Sequence, residues 1–449
     1  MRTLELRDPG RVSMYVCGPT VYDVPHIGHG RFALAFDVLR RYLVFSGLEV
    51  DYVSNVTDID DKIIARANLE SRPASEVAAQ FEATWWDAVD ALGVERPTHT
   101  PHATSYVDRM VAMVGELVAL GVAYETSDGV YLSVDQVEGY GLLARQSLDS
   151  LRSGERVEPG EEKRSPLDFV LWKKAKPGEP TWPSPWGPGR PGWHTECVVM
   201  SLDLLGDGFD LHGGGIDLAF PHHENERAQS VALGREFARH WVHNGHVKVG
   251  DEKMSKSLGN FTSLTDLLTS TDGRAYRLLL LRSNYRSPVE VTPETIADAE
   301  EALARLDSFA RRFHLDTRLG SMTFEMAQAS GADPGALGAF VERMDDDLDT
   351  PAALGAIFDL VRRANALADG GEDAGALTLA KTVGVLCGAM GLALVSEGEE
   401  VDEGAAALVD ERDAARARGD WARADAIRDE LQAAGWVVED AAQGTRLHR

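Results

Sequence analysis

Only three cysteines occur in 449 residues, and Cys17 stands nine residues ahead of a His-x-x-His pair, His26 and His29, in the stretch YVCGPTVYDVPHIGHG. Two chemistries fit that spacing. Cys17, His26 and His29 can share one metal ion. Alternatively they are two separate tools, a metal ligand and a phosphate-binding turn. PHIGHGR leads into an amphipathic run, so its N–H groups and helix dipole would face an anion. His26 and His29 could then both donate to it, and Gly28 would let a backbone or an adenine ring come close. Two polar residues in an ordinary loop are the plain alternative for His-x-x-His alone; a position after a strand, before a helix and between glycines favours a nucleotide.

A second stretch, GDEKMSKSLGN at residues 250–260, places Lys253 and Lys256 between Gly250 and Gly259. Such a loop can close over a polyphosphate and offset charge on its leaving group, or it can be a solvated surface loop. Seven of the thirteen histidines fall between His194 and His246, so a metal would draw its ligands there. In FPHHENE, His222 and Glu226 are four apart, on one face of a helix; GWHTEC adds Cys197. With Cys17 they make a Cys, Cys, His, Glu set of acceptable zinc ligands. Against it, a lone Cys in a strand is commonly a small core residue, and His194, His212, His223 and Glu224 read equally well as structural hydrogen-bonding groups. Cys387, in VGVLCGAMGLALV, reads as core.

These residues need a scaffold. VSMYVC (12–17) reads as a buried strand, Phe32 to Phe45 as an amphipathic helix with Phe32, Phe36, Leu39 and Leu43 on one stripe, and EVDYVSNV (49–56) as the next strand. Strand, glycine turn, helix, strand is the pattern of a parallel α/β sheet; GFDLHGGGIDL and HWVHNGHVKV add further strand-like runs. Between them, RSGERVEPGEEKRSP and AKPGEPTWPSPWGPGRPG are too charged or too rich in Pro and Gly for regular helix, so roughly 106–191 reads as an insertion splitting the α/β unit. From Pro293 the chain turns helical, with Asp349, Thr350 and Pro351 as cap and first-turn residues of one helix. SEGEEVDEG (396–404) carries five carboxylates and reads as a solvated linker, and DERDAARARGDWARADAIRDELQAAG as one arginine-rich helix before a short tail.

The bulk numbers bound the answer without deciding it. A net charge of −27 disfavours nucleic acid as a partner for the chain as a whole, since phosphate contacts need Lys and Arg. A local basic face remains compatible with it: residues 410–449 hold seven arginines against nine acids. No apolar stretch reaches membrane-spanning length and the first residues lack an apolar leader core, so no membrane segment or secretion signal is expected. The odd, scattered cysteines argue for a reducing cytoplasm and against disulfides.

His26-Ile27-Gly28-His29 and Lys253-Met254-Ser255-Lys256-Ser257 resemble the two signature motifs of class I aminoacyl-tRNA synthetases. Within that class, MYVCGPTVYD, NVTDIDDKI, WPSPWGPGRPGWHTEC and FPHHENE are similar to the cysteinyl family, in order and over nearly the full chain. The resemblance implies a Rossmann-like catalytic domain with an insertion, a helical bundle and a small anticodon-binding domain. Its expected division is 1–105 and 192–249 for the catalytic halves, 106–191 for the insertion, 250–300 for the lysine loop and stem contacts, 301–395 for the tRNA-binding bundle and 405–449 for anticodon contacts. It implies ATP with Mg2+, L-cysteine and tRNA(Cys) as partners and one zinc ion held by Cys17, Cys197, His222 and Glu226. His26, His29, Lys253 and Lys256 are implied to be catalytic, with Gly28 and Ser255 also on ATP, and Thr57, Trp193 and Asp217 in the amino-acid pocket. From the residues alone, Trp193 reads equally as core and Asp217 as a turn former. The C-terminal match makes Trp421 a base-stacking residue or the anchor of the small domain's core.

The zinc reading also has a physical logic. A pocket that reads shape alone separates substrates differing by one small group by only about 1–3 kcal/mol, and serine is nearly the size of cysteine. Zinc takes a readily deprotonated sulfur in strong preference to a hydroxyl, so a separate editing site is unnecessary. Asp58, Asp60 and Asp61 suggest a second metal, or a helix cap. A monomer is expected. The nearest alternative is the cysteine ligase of mycothiol biosynthesis, which acts on an amino-sugar inositol and has no use for an anticodon domain. A non-catalytic RNA-binding relative and a zinc hydrolase ligated by His26 and His29 are more distant ones.

Overall fold

Five of the six residues of the strand Arg11–Val16 are buried, because VSMYV is apolar on both faces and only a sheet covered on both sides accommodates that. The structure, a computed structural model, describes residues 3–145, 162–249, 252–253, 263–315, 322–395, 403–441 and 444–448. Ser255, Lys256, most of the acidic strip at 396–404 and residues 152–161 lie outside them.

Arg11–Val16 pairs in parallel with Glu49–Ser54 on one side and Leu211–Gly215 on the other, and His240–Asn244 completes a four-stranded parallel sheet. The chain leaves the first strand toward one edge and the third toward the opposite edge. The carboxyl ends of Arg11–Val16 and Leu211–Gly215 therefore flank the switch point where open α/β sheets form their ligand crevice. Two helices, Trp193–Leu205 and Glu224–Ala232, lead into the third and fourth strands.

The helix joining the first two strands begins earlier than its apolar stripe suggests. It spans Ile27–Phe45, not Phe32–Phe45, so His26 to Gly30 form its cap and first turn rather than a separate turn. His26 is extended, with φ −96° and ψ 167°, and caps the helix. The described part of residues 106–191 holds regular structure: the helix Val107–Ala119 and an antiparallel sheet of Ala123–Glu125, Gly129–Leu132, Phe169–Lys174 and Gly189–Pro191.

From Pro293 the described chain is helical through Ala389, and Asp349 caps the helix Thr350–Asp369 by accepting from Ala352 N at 3.1 Å. The arginine-rich stretch is two helices, Glu403–Ala417 and Trp421–Ala433, not one. Gly419 at φ +76° takes the left-handed turn that ends the first, and Asp420 caps the second through Arg423 N. Trp421 is 63% exposed and Trp436, 3% exposed, fills the small core with Ile427, Leu431 and Leu447, which overturns the anchoring alternative for Trp421.

The largest apolar cluster unites the first helix with the bundle: Ile27, Leu34, Tyr42 and Phe45 pack with Tyr276, Leu279, Phe340, Ile357 and Leu386. Inside this seam Arg277 Nη1 lies 2.6 Å from Asp37 Oδ2 with both side chains buried. Arg41 Nε reaches the same oxygen at 2.8 Å and Glu95 N donates to Oδ1. Arg277 also donates to the carbonyls of Leu92, Gly93 and Met390. Burial alone would raise the Asp37 carboxyl; Arg277 and Arg41 outweigh it and hold it below the usual range. Burial lowers Arg277, yet a guanidinium so paired stays charged. Asp37→Asn strands that cation, and the expected loss is about 3–5 kcal/mol of stability. Urea unfolding followed by circular dichroism measures it; a wild-type midpoint would contradict the assignment.

Candidate active site and metal centre

Cys17 is the residue directly after the first strand. Its amide donates to Gly213 O at 3.1 Å, so its side chain starts at the crevice. The following residue must be glycine: a Cβ on Gly18 would stand 1.7 Å from Asn55 O. Cys197 comes from the first turns of Trp193–Leu205, and His222 and Glu226 from the helical segment between the third and fourth strands.

Three segments distant in sequence thus converge. Cys17 Sγ lies 3.6 Å from Cys197 Sγ and 3.3 Å from Glu226 Oε1. His222 Nε2 lies 2.8 Å from the same carboxylate oxygen. One ligand atom from each of the four lies within 4.8 Å of the others, and all four residues are buried. Two sulfurs each about 2.3 Å from a tetrahedral zinc ion would stand about 3.8 Å apart, close to the separation found. His222 Nδ1 meets His194 Nδ1 at 2.8 Å, while His222 Nε2 is buried without a well-angled hydrogen bond despite its short distance to Glu226. A ligating imidazole has that environment, one nitrogen engaged behind and the other aimed at the ion. The residues therefore fit zinc.

The electrostatics follow from burying anions together. Burial raises the Cys17 thiol, and Cys197 and Glu226 beside it add to the rise. Cys197 is lowered to about 6: burial would raise it, but the Cys17 hydrogen bond and His222 prevail. Burial would lower His222, yet Glu226 and Cys197 carry it to about 10. His194 is pushed down to about 3, by burial and then by His222, and stays neutral.

A second group shares two of these residues. Cys17, His212, His223 and Glu226 also lie within metal-ligand reach of one another. His212 Nε2 meets Glu226 Oε2 at 2.5 Å, and His223 Nδ1 meets His243 Nε2 at 2.8 Å. Spacing alone left His212 and His223 as structural hydrogen-bonding groups; the fold makes them the wall behind Glu226. Tyr15 and Asn55, which spacing did not single out, sit under the cysteines: Asn55 Oδ1 accepts from Tyr15 Oη at 3.1 Å and Gly18 N at 2.9 Å. Their signal lies in the sheet pairing, which sets Tyr15 opposite Val53.

His26 and His29 belong to the same edge but not to the cluster. Each backbone N–H donates to the other ring's Nδ1 at 3.2 Å, and the rings stack 3.7 Å apart. A backbone N–H can only donate, so each Nδ1 is an acceptor and each neutral ring carries its hydrogen on Nε2. Leu264, just past the lysine loop, donates its N–H to Pro25 O at 2.8 Å, and Ser263 bridges His26. Ser263 and Leu264 are thereby fixed beside the histidine pair. Lys253 closes a two-residue strand against Lys248 and Val249.

Thr57 is buried, with its Oγ1 3.1 Å from Glu196 Oε2. Trp193 is partly exposed and stacks on His222 at 3.9 Å, so it is not a core residue. Asp217 lies in the single turn Ile216–Leu218 directly after the third strand. The three aspartates serve separate ends. Asp60 caps the helix Asp61–Glu70, Asp58 accepts from Thr104 N at 2.9 Å, and Asp61 pairs with Lys173 at 2.8 Å and with Arg190. The cap reading holds for Asp60. Cys387 is buried in the bundle, as its apolar surroundings suggest.

Comparison with known proteins gives the family. Residues 3–301 match the catalytic domain of class I tRNA synthetases (C), residues 339–395 a DALR domain and residues 399–447 a cysteinyl-tRNA ligase anticodon-binding domain. The cysteine–tRNA ligase of Chromobacterium violaceum is 48% identical over 98% of this chain and 96% of its own length. That of Geobacter sulfurreducens is 46% identical over 98% and 95%. Among solved structures, the methionyl-tRNA synthetase of Mycobacterium tuberculosis with methionyl-adenylate superposes with a TM-score of 0.61 at 16% identity, covering 85% of this chain and 89% of that one. An Agrobacterium radiobacter leucyl-tRNA synthetase complex gives 0.59 at 13%, over 87% and 84%. At those identities the structures attest the fold. The sequence relatives and the matched catalytic domain decide the family: this chain belongs to the cysteinyl-tRNA synthetases of class I.

Proposed function

We propose that this protein activates L-cysteine with Mg-ATP as cysteinyl-adenylate and transfers the cysteinyl group to the terminal ribose of tRNA(Cys). The observation that carries this reading is one crevice edge bearing both a Cys, Cys, His, Glu cluster and a histidine pair at a helix start. When bound, zinc held by Cys17, Cys197, His222 and Glu226 would supply a thiol-selective Lewis acid rather than a hydroxide.

The remaining work falls to side chains. His26 and His29 direct Nε2–H donors at the phosphates as charge develops on the pyrophosphate, aided by the helix N-terminus. Gly28 keeps the first turn low beside the nucleotide, and Lys253, Ser255 and Lys256 close over it to neutralise the leaving group. Attack by the cysteine carboxylate on the α-phosphorus then depends mainly on positioning. Thr57, Trp193 and Asp217 line the amino-acid pocket around the metal.

Neither a hydrolase ligated by His26 and His29 nor a non-catalytic RNA binder suits this arrangement: the two rings cap a helix and face each other, outside the four-residue cluster. A ligase acting on an amino-sugar inositol shares the cysteine chemistry but leaves residues 399–447, matched to an anticodon-binding domain, without a role. The domain division is proposed as 1–105 with 192–249 catalytic, 106–191 inserted, 250–300 on the acceptor stem, 301–395 on the tRNA body and 405–449 on the anticodon. A monomer acting in the cytoplasm completes the proposal; among the described residues no helix is long and apolar enough to cross a membrane.

Three outcomes test it. Cys17→Ser loses its zinc and lets the cysteine-over-serine ratio in ATP–pyrophosphate exchange fall to the roughly 10–200-fold that shape allows, whereas His26→Ala keeps its zinc and loses exchange. Metal analysis beside exchange assays reads both. Lys256→Ala lowers adenylate formation about 100- to 1,000-fold while cysteine binding, followed by calorimetry, stays near wild type. Charging assays offering tRNA(Cys) or the amino sugar should yield product with tRNA alone, and reversal of that preference would sink the assignment.

A further inference from the structure

Asn55 lies just beyond the second strand, 1% exposed, and touches the segments that carry both cysteines of the cluster without belonging to it. Gly18 N–H stands 2.9 Å from Oδ1. A peptide N–H can only donate, so this contact fixes which end of the amide is oxygen. Tyr15 Oη donates to the same oxygen at 3.1 Å, and its two lone pairs are then used. Nδ2 must therefore face Thr57, and it donates to Oγ1 at 3.1 Å. The Thr57 hydrogen is left for Glu196 Oε2, also at 3.1 Å. Glu196 directly precedes Cys197, whose Sγ lies 3.8 Å from Asn55 Oδ1.

The chain Tyr15, Asn55, Thr57, Glu196 is buried throughout and has one direction along its length. At one end it holds the peptide following Cys17, whose preceding amide is held by Gly213; at the other it holds the residue preceding Cys197. Those cysteines are 180 residues apart in sequence, and a tetrahedral ion tolerates only small errors in their separation. A fully satisfied buried network supplies that rigidity. We infer that Asn55 is a positioning residue, which sets the spacing of the two thiolates and ties it to Thr57 in the amino-acid pocket.

The inference rests on zinc being held by Cys17, Cys197, His222 and Glu226, and its test separates the two. Zinc competition against a chromophoric chelator and the visible spectrum of the cobalt(II)-substituted protein are recorded for wild type, Asn55→Ala and Tyr15→Phe. Wild type must hold one zinc; if it holds none, the metal assignment itself fails. Given that, Asn55→Ala should bind zinc about 10- to 100-fold more weakly, with an altered cobalt ligand-field band and a raised KM for cysteine. Tyr15→Phe, which leaves the Gly18 contact in place, should shift zinc affinity the same way but less. Wild-type zinc affinity and cobalt spectrum in Asn55→Ala would overturn the proposal. If that variant does not fold, unchanged affinity in Tyr15→Phe overturns it instead.

Discussion

Asp37 and Arg277 meet at 2.6 Å inside an apolar seam, and the geometry on both sides follows from that pair. A buried charge must be matched or it costs several kcal/mol, so the helix Ile27–Phe45 cannot rotate or slide against the helix Gly273–Leu281 without losing the match. Farther along, Tyr42 Oη donates to Asp345 Oδ1 at 2.5 Å, and at the near end Tyr276 Oη donates to Ile27 O at 2.7 Å. Arg31 spans the middle to the carbonyls of His246 and Tyr285. One helix is thus fixed along its length, from the histidine pair at its start to the helical bundle at its end.

The Cys, Cys, His, Glu cluster answers a different constraint. Two thiols, a carboxylate and several imidazoles share a volume from which water is excluded, and each anion placed there raises the cost of the next. Glu226 resolves this by dividing its oxygens: Oε1 faces Cys17 and His222, Oε2 faces His212. His212 in turn stacks on Trp241 at 4.7 Å and meets Tyr15 edge-on. The carboxylate is therefore held from behind while it presents one oxygen to the ligand centre. This is the support that metal-ligating groups need if their geometry is not to relax.

Much of this was legible in the residues, and the reasons differ by case. Short-range signals survived: the parallel α/β pattern, the Asp349 cap and the His222–Glu226 helical spacing need only local geometry. The convergence of Cys17, Cys197, His222 and Glu226 appears only in the fold, since nothing in spacing tells a ligand cysteine from a core one. Boundaries failed where a side chain does unusual work. Apolar periodicity began at Phe32, but the helix starts at Ile27 because two histidines cap it reciprocally, a role usually filled by Ser, Thr, Asp or Asn. Gly419 and Asp420 were present to split the last arginine-rich stretch, and its unbroken charge pattern hid them. Asn55 and Tyr15 were beyond reach, because their partners are set by sheet pairing.

A chain of net charge −27 that takes RNA as substrate must confine its attraction to small areas, since at physiological salt charges beyond about 8 Å are largely screened. The C-terminal unit suits that requirement through packing rather than excess charge. Its core is closed by Trp436, its buried Arg412 is spent on Thr445, and Asp413 holds the Thr445 amide at 2.9 Å. Those groups are structural, while Trp421 at the start of its helix is exposed to solvent. A solvated indole carries about 1–3 kcal/mol of stacking per base without needing a basic patch. Recognition by stacking at one end and by metal coordination at the other would both be short-ranged, and short range is what an acidic enzyme requires to hold a polyanion without opposing it everywhere else.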